Sequence, residues 1–183
     1  MLSGLFHYNY RFVQRVDNPL EDDFLKYKLL YSFKSPKSRQ WYWVWVEVYE
    51  RDFYAIKFHL KAHRDSEQKY SLMTGYNEAR PIINTCVAIM HEIANVNPHA
   101  SFGFIGANME AESEINTKRF RVYSRFMASY FSQQIFKHFV VLNKSAYILI
   151  RQSELNLHPD LLDDIKSKIR SSVIREAVNL NDK

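Results

Sequence analysis

Glycine is scarce in this chain of 183 residues, with 4, and proline little commoner, with 5. So few breakers leave little room for long irregular loops, and regular structure is expected to dominate. They also exclude a phosphate cradle built from repeated glycines. Cys86 is the one cysteine, which rules out an intramolecular disulfide and a cysteine-rich metal site. No apolar run approaches the roughly 20 residues needed to span a bilayer. Nor does the opening stretch, Met1 to Tyr10, carry a basic region leading into an apolar run, so no signal peptide is read there. From these absences a cytoplasmic protein is expected, with no membrane partner.

Aromatic residues are plentiful by contrast: 13 Phe, 12 Tyr and 3 Trp. Hydrophobic residues at 46% and charged residues at 25% are ordinary for a globular protein, and the length suits one domain with a substantial core. Lys and Arg total 25 against 20 Asp and Glu, a net charge of +5 with a pI near 9.2. That excess permits an anionic partner, nucleic acid or an acidic protein, without requiring one.

Strands are expected at residues 6–16 and 24–33, the second closed by the breaker-rich turn Ser35-Pro-Lys-Ser38. The clearest strand is Trp41 to Tyr49. Tyr42, Val44, Val46 and Val48 fall on one face, and Trp41, Trp43, Trp45 and Glu47 on the other. Because neither face is polar, this strand reads as central and covered on both sides. In the next strand, residues 53–62, Tyr54, Ile56, Phe58 and Leu60 alternate with Lys57, His59 and Lys61, which predicts one buried face and one basic, wet face.

Two long helices follow. Ile82, Ile83, Cys86, Val87, Met90 and Ile93 form one apolar stripe at helical spacing, with Asn77 as a cap or Pro81 in the first turn. A short strand, residues 101–106, and an acidic loop with Glu110, Glu112 and Glu114 lead to the second helix. Asn116 or Thr117 caps it, and its stripe is Phe120, Tyr123, Phe126, Met127, Tyr130 and Phe131. Strands at 138–142 and 146–150 precede a last helix starting at residues 158–160. The fold class is therefore α+β, a mixed and mostly antiparallel sheet with two long packed helices and a C-terminal helix. Residues 1–155 form the domain; residues 156–183 are a helix packed on it or used as an interaction arm, a homodimer contact included.

Chemistry concentrates at the start of the second helix. Lys118, Arg121 and Arg125 share its polar face, with Arg119 in its first turn. Cations there oppose the helix dipole, so they call either for pairing with Glu110, Glu112 and Glu114 or for an anionic ligand at the helix start. Arg80 stands likewise at the mouth of the first helix, where its planar fork can grip a phosphate or pair with a surface carboxylate. The histidines are scattered without metal-ligand spacing, and Cys86 on its apolar stripe reads as an inert core thiol. The Trp41, Trp43 and Trp45 stripe reads as covered core, with base stacking beside basic strand residues as the alternative.

Beyond the N-terminal strands the element order is strand, strand, helix, strand, helix, strand, strand. This order resembles the GNAT acetyltransferases over residues 41–150. The resemblance includes an Asn opening the second helix and a Tyr seven positions on, here Asn116 and Tyr123, with Val122 where that family often has Leu. It implies acyl-CoA, such as acetyl-CoA, bound beside the strand before that helix, with Tyr123 protonating the leaving thiolate. The stretch matching the family's pyrophosphate loop, residues 76–84, contains Arg80 but no glycine, and Pro81 removes an N–H. Two functions follow. One is a non-catalytic GNAT-like module that binds an anionic ligand or partner through Arg80, Lys118, Arg119, Arg121, Arg125 and the basic strand face. The other is a divergent acyl-CoA-dependent N-acyltransferase.

Overall fold

The computed structural model describes residues 5–17, 24–70, 75–105 and 117–168. Its strands are β1 (Tyr10–Asp17), β2 (Leu25–Lys34), β3 (Trp41–Tyr49), β4 (Phe53–Leu60), β5 (Ser101–Ile105), β6 (Phe136–Val141) and β7 (Ala146–Arg151). Its helices are α1 (Ala79–Val96), α2 (Lys118–Tyr130) and the short α3 (Gln152–Leu157). Residues 161–168 are also helical. The architecture is mixed α+β, as the sequence predicts; α3 is an addition to that reading. No helix among the described residues is long and apolar enough to cross a membrane.

The strands form one sheet in the order β1-β2-β3-β4-β5-β7-β6. Every ladder is antiparallel except β4–β5, which is parallel because α1 carries the chain back across the sheet. The close approach of β5 to β4 depends on Gly103: a Cβ there would overlap the ring of Phe53, itself fully buried.

α1 and α2 lie on the same face of the sheet, the helix face. They close the larger core with Val44, Val46 and Val48 of β3, Tyr54 and Ile56 of β4, and Phe102 and Phe104 of β5. The predicted stripe of α1 is buried in full, but Asn84, Thr85 and Ala88 are buried as well. The reason lies in residues 5–9, which leave the sheet and run over the helix. There the Asn84 amide donates to the carbonyl of Phe6 (2.7 Å), and the Tyr8 N–H donates to the Thr85 hydroxyl (3.0 Å). A first strand beginning at residue 6 is therefore corrected to one beginning at Tyr10.

Among the described residues, the opposite, outer face is covered over only part of its width. Leu161 and Ile165 pack on Tyr49, Phe53, Ala55, Ala146, Ile148 and Ile150 to make a second, smaller core. Arg51, in the turn between β3 and β4, holds the start of this helical stretch through Asp160 (2.9 Å). The expectation that β3 is covered on both sides is corrected here. Trp41 is exposed, Trp43 and Trp45 are half-buried, and none of the three belongs to either core cluster. The rest of the last helix predicted from sequence, including Ile169, Arg170, Val173 and Arg175, lies outside the described residues.

Candidate functional site

The β4–β5 ladder closes at Ile56 opposite Phe104, while β4 runs on to Leu60. Just past that point lies a narrow cavity of about 10 Å³, lined by Ile56, Phe58, Ile83, Cys86, Met90, Phe104, Tyr123 and Met127. This is room on the scale of a single water, and its walls are apolar apart from a phenol and a thiol. Tyr123 reaches it from the buried stripe of α2, edge-on to Phe104 (centroids 4.0 Å) and to Phe58 (5.9 Å). Burial raises its pKa well above that of an ordinary phenol, although Arg119 nearby pulls the other way. A phenol in such surroundings holds its proton tightly. Cys86, also in the lining, is pushed up to about 12 by the same desolvation, so it stays a thiol.

The start of α1 departs from the sequence expectation. Asn77 does not cap the helix; it sits at a left-handed φ of 50°, and its carbonyl accepts from the Lys37 ammonium (3.1 Å). Glu78 occupies the cap position, but its side chain turns inward and is 2% exposed. There the carboxylate accepts hydrogen bonds from Ser38 (2.6 Å), Tyr42 (2.9 Å) and Tyr8 (3.2 Å), and from the Ser35 hydroxyl. Desolvation alone would raise its pKa. The four hydroxyl donors outweigh it and hold the carboxyl below the usual carboxylate range. This one side chain thus ties α1 to residues 5–9, to the β2–β3 turn and to β3. Arg80, two residues on, points to solvent, and Pro81 lies within the first turn, where no intrahelical N–H is needed.

At α2 the choice of cap is settled: the Thr117 hydroxyl accepts from the Phe120 N–H (3.1 Å). Asn116, paired with Tyr123 in the sequence reading, lies outside the described residues, as does the acidic loop 109–114. Lys118, Arg121 and Arg125 fall on the exposed face of the helix, one turn apart as the spacing predicts. Arg119 leaves this group: it is half-buried, and its guanidinium donates to the Tyr70 carbonyl. Arg80 stands at the start of α1 and the other four cations on α2, so the five basic residues singled out from sequence include two arginines, Arg80 and Arg119, set apart from the exposed trio on α2.

The basic face of β4 is less wet than its alternation suggests. His59 is 4% exposed, wedged edge-on between Trp43 and Tyr70 because residues 61–70 fold back over the strand. Its Nδ1 shares a hydrogen bond with the Leu60 carbonyl (2.7 Å), and desolvation lowers its pKa. Lys57 is largely buried against Glu47 (3.2 Å). Among the described residues no three His, Cys, Asp or Glu side chains gather as metal ligands.

Two residues escaped the sequence reading, both carboxylates. Glu78, two residues before Arg80, carries no sequence signal of its own. Glu47 stood in the apolar run of β3, where a carboxylate must find partners or be expelled. It finds Lys28 (3.3 Å), Lys57 and the Tyr49 hydroxyl (3.0 Å). An isolated acid inside an apolar strand was the available signal; the lysines that answer it depend on register. Comparison with protein-family models, curated proteins and solved structures finds no match to this chain.

Proposed function

We propose that this chain is a non-catalytic module of GNAT-like shape that binds an anionic partner. The observation that carries the reading is the start of α1. An acyl-CoA enzyme needs free N–H groups and no competing negative charge where the cofactor's phosphates dock. This helix begins instead with the buried carboxylate of Glu78, held by four hydroxyls, and with Pro81 in its first turn. A cavity of about 10 Å³ walled by Phe58, Phe104 and Met90 offers no acyl-sized channel. Meanwhile Lys118, Arg121 and Arg125 are exposed together on α2, and the outer face of the sheet adds further cations.

A second reading, a divergent acyl-CoA-dependent N-acyltransferase, is favoured by one observation. The cavity with Tyr123 in its wall lies where the parallel strands β4 and β5 part, beside the strand where the resemblance puts the cofactor. Thermal unfolding separates the two. With acetyl-CoA or CoA at millimolar concentration the expected midpoint is unchanged, and with heparin it rises. A ligand at 100 times its Kd adds about 2.7 kcal/mol, several degrees at this size. A shift of that size with acetyl-CoA, together with transferase activity abolished by Tyr123→Phe, would replace the first reading by the second.

A further inference from the structure

We propose that the part of the outer face outside the second core is a stacking platform for single-stranded nucleic acid, centred on Trp41, Trp43 and Trp45. The inference rests on the anionic-partner reading and names both the partner and the surface. All 3 tryptophans of the chain stand on this face of β3, and all of them are outside both cores. Trp41 is 40% exposed. Placed at every second residue, the three share this face: the Trp43 and Trp45 rings stand edge to face with centroids 6.2 Å apart, and Trp41 is the exposed one. A sheet that needed only to be stable would bury its largest apolar side chains, as β3 does with every residue on its helix face.

Cations line the same row. Arg11 and Lys34 stand 5.8 and 6.0 Å from the Trp41 ring, and Lys61 stands 5.6 Å from Trp43. At its far side Tyr70 has Lys57 and Lys69 within 5.7 Å. Among the described strand residues of this face Glu47 is the single carboxylate, and Lys28 and Lys57 hold it. The plain alternative is that these cations merely cover the indole rings by cation–π contact. That account explains the contacts of each cation but not why the rings were left out of the cores. An acidic protein would use the charges and leave the rings unused, and a duplex keeps its bases stacked inside. Unpaired bases on a charged backbone use both, without needing any sequence-reading group.

The tryptophans provide their own readout, because intrinsic fluorescence reports this face alone. The full chain is titrated with labelled dT20 at several salt concentrations, following anisotropy and tryptophan emission together. The expected result is quenching that saturates with the anisotropy. Trp41→Ala should weaken binding about tenfold, the scale of one stacked base. Lys34→Ala and Lys61→Ala should each lower the slope of log K against log salt by about 0.7, whereas Lys137→Ala on β6 should change nothing. Circular dichroism confirms that each variant is folded. Binding without quenching, indifferent to Trp41→Ala, would overturn the platform and leave the anionic-partner reading to the α2 cations. So would polyglutamate or duplex DNA displacing dT20 more effectively than unlabelled dT20 does. If dT20, heparin and polyglutamate all fail to bind, both readings fall.

Discussion

Val46 and Trp45 are neighbours in one strand and meet opposite fates. Val46 faces the helices and is wholly buried, while Trp45 faces outward and belongs to no core. The same contrast runs along all of β3, and it separates two kinds of surface within one sheet. On the helix face, α1 and α2 close a continuous core. On the outer face, among the described residues, 161–168 cover the side nearest β7, residues 61–70 fold over His59, and cations meet the indoles beside them. The helix face is one continuous core, whereas the outer face divides between a smaller core and a row of indoles and cations.

The comparison breaks first, and hardest, on a core residue of the helix face. Phe102→Ala removes a fully buried ring and should cost about 3–5 kcal/mol in denaturant unfolding. A loss under 1 kcal/mol would mean that this face is not the tight core described. Next comes Glu78→Ala, which strands four hydroxyls arranged around one buried carboxylate. Hydrogen bonds to a charged acceptor contribute about 1.5–3 kcal/mol each before compensation, so a net loss of roughly 3 kcal/mol is expected from the same measurement. Glu78→Gln should recover part of it.

Acid titration sharpens the picture at intermediate size. Glu47 and Glu78 are held below the ordinary carboxylate pKa, Glu47 because Lys57, Lys28 and the Tyr49 hydroxyl outweigh desolvation and Glu78 because its four hydroxyl donors do. The unfolded chain then takes up protons first as pH falls. Their stabilisation is full above about pH 4.3 and is lost below it, down through the folded-state values. Burial lowers His59, His91 and His138, which starts a gentler decline as pH falls below about 6.5. Denaturation midpoints measured across pH should show both limbs, and Glu47→Gln should flatten the lower one. The smallest effect belongs to the outer face. Trp41→Ala should cost at most about 1 kcal/mol of stability, as befits an exposed side chain. A cost matching that of Phe102→Ala would show that the indole is core after all, and the contrast between the faces would be gone.

Much of this fold was legible in the sequence because its signals are local. The period-two faces of β3 and β4 and the helical stripe from Ile82 to Ile93 each sit within one element. The exposed trio Lys118, Arg121 and Arg125 needed only helical spacing to be seen on one face. The site was less legible. Glu78 and Glu47 draw their partners from strands and turns up to 70 residues away, and no window of sequence shows that Tyr8, Ser35, Ser38 and Tyr42 will converge on one carboxylate. The covering of β3 was misjudged for a related reason. An apolar strand face announces that something can pack on it, not whether another element arrives.

The sequence by itself therefore determined most of the strands, the two long helices and the side each residue takes within its own element, since backbone geometry ties those to near neighbours. The tertiary structure decided which faces are covered, where a carboxylate can be kept ionised in the interior, and that three indoles remain outside both cores. Those outcomes depend on sheet order, register and the path of residues 5–9 and 161–168, which bring together residues that the chain itself keeps far apart.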